Sequence, residues 1–280
     1  ETGRTLHWTD RFVAADFNGD NWPDIAVSEE RYPGNDPDAN LYWFQNPGSA
    51  TDKKWVPHLL LTAYSLNNLD AADVDGDGDM DLVTNEHKGR SHRLFILEND
   101  GLGQFAVQVA DTGKECHLGT KFVDLDADGD PDLAGHAWDN YPFLHVWRNN
   151  TTMKSAPRIP FGMMELTPGV ALHPVFCDMN RDGITDLACV NDYVDANKDD
   201  GLHIKTVGYF KGPDMEFIPV HRLNCRSCEM DVADLDGDGY PDIIGRDDTD
   251  ADDANETGAV FWLRNPGNKA APPVEWVRNE

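Results

Sequence analysis

Five short segments of the chain share an aspartate-rich pattern with a fixed internal spacing. Each has the form D-x-[DN]-x-[DN]-x-x-x-D, and the five are DFNGDNWPD from Asp16, DVDGDGDMD from Asp73, DLDADGDPD from Asp124, DMNRDGITD from Asp178 and DLDGDGYPD from Asp234. Alternate carboxylates on a tight turn converge on one point and offer hard oxygen ligands at the spacing that Ca²⁺ prefers. The pattern therefore predicts up to five calcium sites.

The predicted ligands are the first, third, fifth and ninth residues of each segment. They are Asp16, Asn18, Asp20, Asp24, Asp73, Asp75, Asp77, Asp81, Asp124, Asp126, Asp128, Asp132, Asp178, Asn180, Asp182, Asp186, Asp234, Asp236, Asp238 and Asp242. Eighteen of these twenty side chains are carboxylates, and five Ca²⁺ ions would change the formal net charge from −28 to −18. Asn18 and Asn180 lower the charge of the first and fourth sites, which we expect to bind calcium more weakly.

The sixth residue of each segment suits a left-handed turn. It is glycine in four segments and asparagine in the first, namely Asn21, Gly78, Gly129, Gly183 and Gly239. Glycine adopts positive φ without strain, and asparagine is the next most tolerant residue. The first half of each segment resembles an EF-hand loop, but an aspartate at the ninth position replaces the glutamate at the twelfth. Short apolar runs flank every segment, so each is predicted to join two strands of a hairpin.

The five segments recur at a nearly constant period along the whole chain. Their starts are separated by 57, 51, 54 and 56 residues. After each hairpin comes an apolar third strand that ends in a polar residue and usually Asn, as in Tyr42–Asn46 and Phe261–Asn265, followed by a fourth strand such as Trp55–Leu60 or Phe217–His221. Four antiparallel strands in a repeat of this length are typical of a propeller blade. The aromatic residues of the third strands are predicted to lie in the core between blades: Trp43, Trp147, Tyr209 and Trp262.

These metal loops and their period resemble the FG-GAP/VCBS repeats, which include the calcium-loop repeats of integrin α-subunit propellers. The resemblance covers nearly the whole chain and implies an all-β fold, a single β-propeller, in which calcium has a structural role. Five loops predict five four-stranded blades with a calcium loop in the first hairpin of each. Residues 4–280 are expected to form this one domain, sealed by Thr5–Trp8 or Val274–Val277, while Glu1–Gly3 is expected to be a cloning remnant.

Composition excludes some partners and favours an extracellular location. With 23 Lys and Arg against 51 Asp and Glu, the surface repels nucleic acid and anionic lipid. No apolar run approaches the roughly 18 residues that a membrane span needs. Three N-glycosylation sequons favour secretion: Asn149-Asn150-Thr151, Asn150-Thr151-Thr152 and Asn255-Glu256-Thr257.

The five cysteines allow more than one interpretation. Cys225 and Cys228 form a CxxC motif with no second CxxC to complete a zinc site, which favours a small local disulfide. Cys177 and Cys189 flank the fourth metal loop. They either face each other across a hairpin as a disulfide or are small core residues.

The second strands of the repeats are followed by polar residues that differ from one repeat to the next. In a propeller these exits lie opposite the metal loops, and divergent polar residues near the axis indicate a ligand site. The predicted ligand-binding residues are Glu29, Arg31, Glu86, His87, Lys88, His136, Trp138, Asp139, Tyr141, Asn191, Asp192, Tyr193, Arg246 and Asp247. Aromatic rings combined with charged side chains suit sugars, which stack on rings and hydrogen-bond through hydroxyl groups.

Two functions follow from this face, and the sequence leaves both open. The first is a secreted glycan-binding or adhesion module, whose partner is a carbohydrate or an extracellular protein. The alternative is a carbohydrate-active enzyme, most plausibly a polysaccharide lyase, in which a base abstracts a proton and a cation stabilises the developing charge. The catalytic candidates would be His87, His117, His136, Tyr193, Arg31 and Arg246. A His/Glu cluster there could also hold a transition metal.

Overall fold

The computed structural model describes residues 6–48, 54–114, 119–136, 144–151, 161–166, 170–193, 204–224, 227–248, 258–267 and 276–279. Regular structure in these segments is almost entirely β, with strands arranged in five four-stranded antiparallel sheets. The predicted all-β fold with five four-stranded repeats is thereby confirmed. Within the described segments, no helix has the length and apolarity needed to cross a bilayer.

Each sheet contains four strands that are consecutive in sequence. The first three sheets contain β1 (Thr9–Ala15), β2 (Asp24–Glu29), β3 (Ala39–Gln45), β4 (Val56–Ala63); β5 (Asp70–Ala72), β6 (Asp81–Asn85), β7 (Leu94–Asn99), β8 (Phe105–Asp111); and β9 (Lys121–Val123), β10 (Asp132–His136), β11 (Leu144–Asn149), β12 (Phe161–Glu165). The fourth and fifth contain β13 (Val170–Cys177), β14 (Asp186–Tyr193), β15 (Ile204–Lys211), β16 (Glu216–Asn224); and β17 (Ser227–Ala233), β18 (Asp242–Asp248), β19 (Gly258–Arg264), β20 (Val277–Asn279).

Every aspartate-rich segment joins the first and second strands of its sheet, as the sequence predicts. The ninth-position aspartate is the first residue of the second strand in each sheet. It lies opposite the last residue of the first strand, as in the pairs Ala15↔Asp24 and Ala233↔Asp242. The metal loop is therefore closed by a strand pair directly beneath it.

The fourth strand is the last in the order of each sheet. The predicted fourth strands near Trp55–Leu60 and Phe217–His221 correspond to β4 and β16. At the C-terminus, β20 pairs with β19 and completes the fifth sheet. Sealing of a single ring by a terminal segment stays a prediction.

A register shift interrupts the pairing of the third and fourth strands in three sheets. It falls between Leu41 and Tyr42 in the first sheet, between Leu94 and Phe95 in the second, and between Val207 and Gly208 in the fourth. Such a shift leaves one extra residue on one strand and increases the local twist. The outer edge of these sheets is consequently bent.

The chain divides into two compact units, one of residues 1–123, 130–141 and 145–165 and the other of residues 124–129, 142–144 and 166–280. In the first unit the core lies between neighbouring sheets, because alternate residues of each central strand point to opposite sides. Trp43 of the first sheet packs with Leu82 and Phe95 of the second, and Trp147 of the third packs with Ile96 of the second. Both tryptophans are buried, as predicted for the core.

The second unit has a core of the same kind between its fourth and fifth sheets. Val190 and Val207 of the fourth sheet pack with Ile243 and Phe261 of the fifth. Cys177 and Cys189 are free thiols, so the interpretation as small core residues is the correct one. The predicted Cys225–Cys228 disulfide falls on side chains outside the described residues.

Candidate functional site

The backbone of each metal loop turns through two left-handed residues. The sixth position has positive φ in all five loops, as predicted, from 66° at Asn21 to 101° at Gly78. The fourth position also has positive φ, and there the residue is not always glycine, since Ala127 has φ 60° and Arg181 has φ 61°. This second turn has no consistent residue type in the sequence, which is why the pattern did not predict it.

Side-chain oxygens of the loop accept hydrogen bonds from its own backbone. The sixth-position N–H donates to Oδ2 of the first-position aspartate in every loop, for example from Gly78 to Asp73 at 3.0 Å. The other four such bonds join Asn21 to Asp16, Gly129 to Asp124, Gly183 to Asp178 and Gly239 to Asp234. The chain thus wraps around the first carboxylate of the loop.

Acidic oxygens converge in the second and fifth loops in the way that a cation requires. One oxygen from each of Asp73, Asp75 and Asp81 lies within 4.8 Å of the other two, and Asp234, Asp236 and Asp242 form an equivalent group. In the second loop, Oδ1 of Asp73 and Oδ2 of Asp75 are buried without a hydrogen-bond partner. A buried charged oxygen with no partner is costly, and a bound divalent cation would satisfy both. The residues present therefore fit a calcium ion.

The ninth-position aspartates are the most buried of the predicted ligands. In the second loop, Asp81 is 1% exposed and accepts hydrogen bonds from the N–H groups of Val74 and Asn99 at 2.9 and 2.7 Å. Burial raises the pKa of Asp81 to about 7. Asp24, Asp186 and Asp242 accept the same pair of backbone bonds in their loops. This aspartate joins the metal loop to the end of the third strand.

The loops differ in the residue directly before the asparagine, or Gly212 in the fourth repeat, at the end of the third-strand segment. In the fifth loop Arg264 forms ion pairs with Asp236 and Asp238, and in the fourth loop Lys211 lies 3.5 Å from Asp182. The second loop has an acid, Glu98, at this position. Burial, and to a smaller extent the negative charge of Asp75, raises the pKa of Glu98. Negative charge is thus less compensated in the second loop than in the fourth or fifth.

At the opposite end of the first two sheets, the structure brings several predicted ligand-binding residues together. The segment after β4 joins the two sheets there, because the Leu66 N–H donates to the Glu29 carbonyl and the His87 N–H donates to the Ser65 carbonyl. The Arg31 N–H donates to the Ser65 hydroxyl at 3.0 Å. Glu29, Arg31, Glu86 and His87 therefore share one neighbourhood although they are far apart in sequence.

Glu29 and Glu86 occupy equivalent buried positions and hold the backbone. Glu29 accepts hydrogen bonds from the N–H groups of His7 and Asn40, and Glu86 accepts them from Tyr64 and Arg93. Arg93 also pairs with Glu86 through its guanidinium group. Both carboxylates are at most 2% exposed, so in a ligand site they would position neighbouring groups.

We expect Glu86→Ala to reduce the free energy of unfolding by about 2–4 kcal/mol, because it leaves two half-buried backbone donors and the Arg93 guanidinium without their buried acceptor. Glu30→Gln is the matched control, since the Glu30 side chain is 31% exposed; its cost should stay below about 0.5 kcal/mol. Urea denaturation at neutral pH measures both. Equal stability of the two variants would contradict a positioning role for Glu86.

The sequence did not single out several residues that complete this neighbourhood. His87 Nδ1 lies 3.3 Å from Glu30 Oε1 and 3.2 Å from Asn67 Nδ2. Asp10 also lies near His87. Burial raises the pKa of Asp10, the positive charge of Arg11 partly offsets this rise, and the negative charge of Glu30 adds to it. Asp10 is in a first strand and Asn67 follows a fourth strand, so the pattern of residues after the second strands did not predict them. We refer to Asp10, Glu30, Arg31, Asn67 and His87 as the acidic–histidine cluster.

The remaining predicted site residues are only partly described. Lys88 lies against Gly34, where an added Cβ would be 2.6 Å from Lys88 Cγ, and His136 is 7% exposed beside Gly119. Arg246 is exposed. Five predicted residues lie inside β14 and β18 rather than after them, because these strands extend further than expected: Asn191, Asp192, Tyr193, Arg246 and Asp247. His117, Trp138, Asp139 and Tyr141 lie outside the described residues.

Two overlapping sequons differ in the accessibility of their asparagines. Asn149 is 3% exposed, and its side-chain amide donates to the carbonyls of Val74 and Pro131. Asn150 is exposed. A glycan on the folded protein therefore fits Asn150 and does not fit Asn149, while Asn255 lies outside the described residues.

Comparison with known proteins supports the repeat family. Residues 16–84 and 124–189 match the FG-GAP-like repeat, which confirms the resemblance predicted from the metal loops. No curated protein matches the chain. Among solved structures, the V. cholerae biofilm matrix protein Bap1 is similar over 95% of this chain, with a TM-score of 0.51 and 14% identity. This chain spans 39% of the length of Bap1, and the likeness concerns the fold alone.

Proposed function

The chain carries repeats of the FG-GAP family, and on that premise we propose that it is a secreted, calcium-stabilised module that binds carbohydrate. The proposed ligand surface lies at the end of the sheets opposite the metal loops. The observation that carries the proposal is the division of the repeats into near-identical metal loops at one end and polar residues that differ between repeats at the other. A common scaffold with a variable face is typical of binding proteins.

Calcium is proposed as the resident ion of the loops. The support is the buried, unpartnered oxygens of Asp73 and Asp75 together with an all-oxygen ligand set. Hard oxygen ligands favour Ca²⁺ or Mg²⁺, and loops with several flexible carboxylates suit the larger ion. When bound, calcium would supply positive charge at the loop centre and hold the hairpin turn in place.

Carbohydrate is favoured as the ligand by the chemistry of the acidic–histidine cluster. Its carboxylates accept hydrogen bonds from hydroxyl groups, while Arg31 and His87 can donate to ring or acid oxygens. The side chains of Arg31 and His87 are 23% and 12% exposed, so both combine a fixed position with access to solvent. That the similar protein Bap1 is a biofilm matrix protein supports an extracellular setting.

The five sheets are proposed to close into one propeller formed by residues 4–280. Support comes from the repeated core between neighbouring sheets within each unit and from the likeness of 95% of the chain to part of the Bap1 structure. A closed ring removes the problem of an apolar sheet face left open at either end of a repeat array. Small-angle scattering would test closure, since an open array is longer than a ring.

A glycan-array screen of the calcium-loaded protein tests the ligand proposal. We expect binding that Arg31→Ala and His87→Ala each weaken by about tenfold or more. Lys54→Ala is the control, because Lys54 is an exposed basic residue beside the first metal loop. Binding that all three variants retain would refute the site. Formation of unsaturated uronates from acidic polysaccharides would instead identify the lyase alternative.

A further inference from the structure

A buried asparagine connects the first metal loop with the second. The Asn99 side-chain amide donates one hydrogen bond to the Phe17 carbonyl in the first loop at 2.9 Å and another to the Met80 carbonyl in the second at 3.2 Å. The Asn99 backbone N–H donates to Asp81 Oδ1 at 2.7 Å. Asn99 is 4% exposed. One residue is therefore bonded to two neighbouring loops and to a predicted metal ligand.

The same connection occurs twice more along the chain. Asn149 donates to the Val74 carbonyl of the second loop and to the Pro131 carbonyl of the third, at 2.9 and 3.2 Å. Asn265 donates to the Met179 carbonyl of the fourth loop and to the Pro241 carbonyl of the fifth, at 2.9 and 2.8 Å. In each case the carbonyls belong to the second residue of one loop and the eighth residue of the next.

The second residue of a loop is thereby held from both sides. The Phe17 N–H donates to Asp24, the closing aspartate of its own loop, at 3.2 Å, while its carbonyl accepts the bond from Asn99. Val74 is placed in the same way between Asp81 and Asn149. A continuous chain of buried hydrogen bonds thus runs from the closing aspartate of one loop to that of the next.

We infer that Asn99, Asn149 and Asn265 are positioning residues that couple calcium binding between neighbouring loops. A cation bound in one loop fixes the backbone of the second residue of that loop. Hydrogen bonds through the asparagine then restrict the closing aspartate of the neighbouring loop. The second site then binds with less ordering cost, which is positive cooperativity. The inference rests on the calcium binding proposed above and extends it to the relation between sites.

Two repeats depart from the pattern and supply internal contrasts. Asn46 has the equivalent position in the first sheet, but among the described residues its amide donates only to Pro23 of its own loop. The fourth sheet has Gly212 at this position, where an added Cβ would lie 2.5 Å from the Thr185 carbonyl and 3.0 Å from the Leu125 carbonyl. Without a side-chain amide there, coupling should not pass from the third loop to the fourth by this route.

Terbium luminescence can test coupling between the first two loops. Tb³⁺ replaces Ca²⁺ at oxygen sites. Trp22 lies in the first loop, where its backbone N–H donates to Asp20 Oδ1, so excitation of this tryptophan reports occupancy there. Trp22→Phe identifies that signal by removing it. The second loop is disabled by Asp75→Ala combined with Asp77→Ala. In the otherwise native chain, we expect this change to lower Tb³⁺ affinity at the first loop by roughly fivefold or more.

The decisive comparison repeats the measurement in Asn99→Leu, where disabling the second loop should no longer alter the first. Asn149→Leu is the matched control, because it removes an equivalent bridge between a different pair of loops and should leave this coupling intact. A simple structural role would affect both variants alike. Near-ultraviolet circular dichroism in saturating calcium verifies folding.

Equal sensitivity of the first loop in the native, Asn99→Leu and Asn149→Leu backgrounds would overturn the coupling. If Asn99→Leu does not fold, the native chain still tests the coupling. Coupling is refuted if disabling the second loop there leaves the Tb³⁺ affinity of the first loop unchanged. Absence of any Tb³⁺ or Ca²⁺ binding would refute the proposed calcium sites themselves, and is distinguishable from binding without coupling.

Discussion

Chelation of calcium by EDTA is expected to lower the melting temperature by about 10 °C or more. Saturating ligand at about 100 times its dissociation constant contributes roughly 2.7 kcal/mol per site, and 1 kcal/mol changes the melting temperature of a protein this size by about 2–4 °C. Two well-occupied sites therefore suffice. Removing the ions also leaves eighteen crowded carboxylates in the loops to repel one another.

Differential scanning calorimetry measures this change directly. EDTA saturated with calcium beforehand is the control for effects of the chelator itself, and added Ca²⁺ should restore the original transition. A melting temperature that is the same with and without free calcium would contradict a structural role for the ion. The loss is expected to grow at low ionic strength, where repulsion between exposed carboxylates is screened less.

Asp81→Ala is expected to reduce the free energy of unfolding by about 2–5 kcal/mol even in calcium-free protein. Asp81 is 1% exposed and accepts hydrogen bonds from the Val74 and Asn99 N–H groups. Alanine leaves both buried donors without an acceptor, at a cost of roughly 1–3 kcal/mol each. It also creates a small cavity beneath the second loop.

Asp77→Ala separates the two roles of a loop aspartate. Asp77 is a predicted ligand of the same loop but is exposed, so its loss should weaken calcium binding while costing less than about 0.5 kcal/mol in EDTA. Urea denaturation measures the free energy of unfolding of both variants, each with calcium and in EDTA. Similar stabilities of Asp81→Ala and Asp77→Ala in EDTA would show that burial of Asp81 contributes little.

The metal loops could be predicted from sequence because their geometry depends on local features. The spacing of the carboxylates, a turn residue such as Gly78, and the apolar runs on either side all act within a few residues. The period of the repeats then gave the number of sheets and the position of each loop between first and second strands. These parts of the prediction are confirmed.

The opposite end was less predictable because its contacts join distant parts of the chain. Asp10 reaches His87 only through the packing of the first sheet on the second. Asn67 reaches it because the segment after β4 pairs with the end of β6 at Leu66↔Glu86, and no local pattern marks either residue. Glu86 was predicted at the exit of a second strand, but its bond to the Tyr64 N–H depends on the segment that follows the neighbouring sheet. The asparagines at the ends of most third strands were visible in the sequence, whereas the bridges of Asn99, Asn149 and Asn265 to the preceding loop required the three-dimensional structure.

The register shifts between third and fourth strands bear on how the protein behaves when it is concentrated. Outer strands carry apolar side chains in contact with solvent, such as Leu59 and Val109, which are 56% and 46% exposed. A straight edge of this composition is a template for addition of strands from another copy and hence for fibril growth. The bends at Tyr42 and Phe95, and Pro57 within β4, which cannot donate a backbone hydrogen bond, break that template. The bent edges of these sheets therefore disfavour the addition of strands from another copy of the chain.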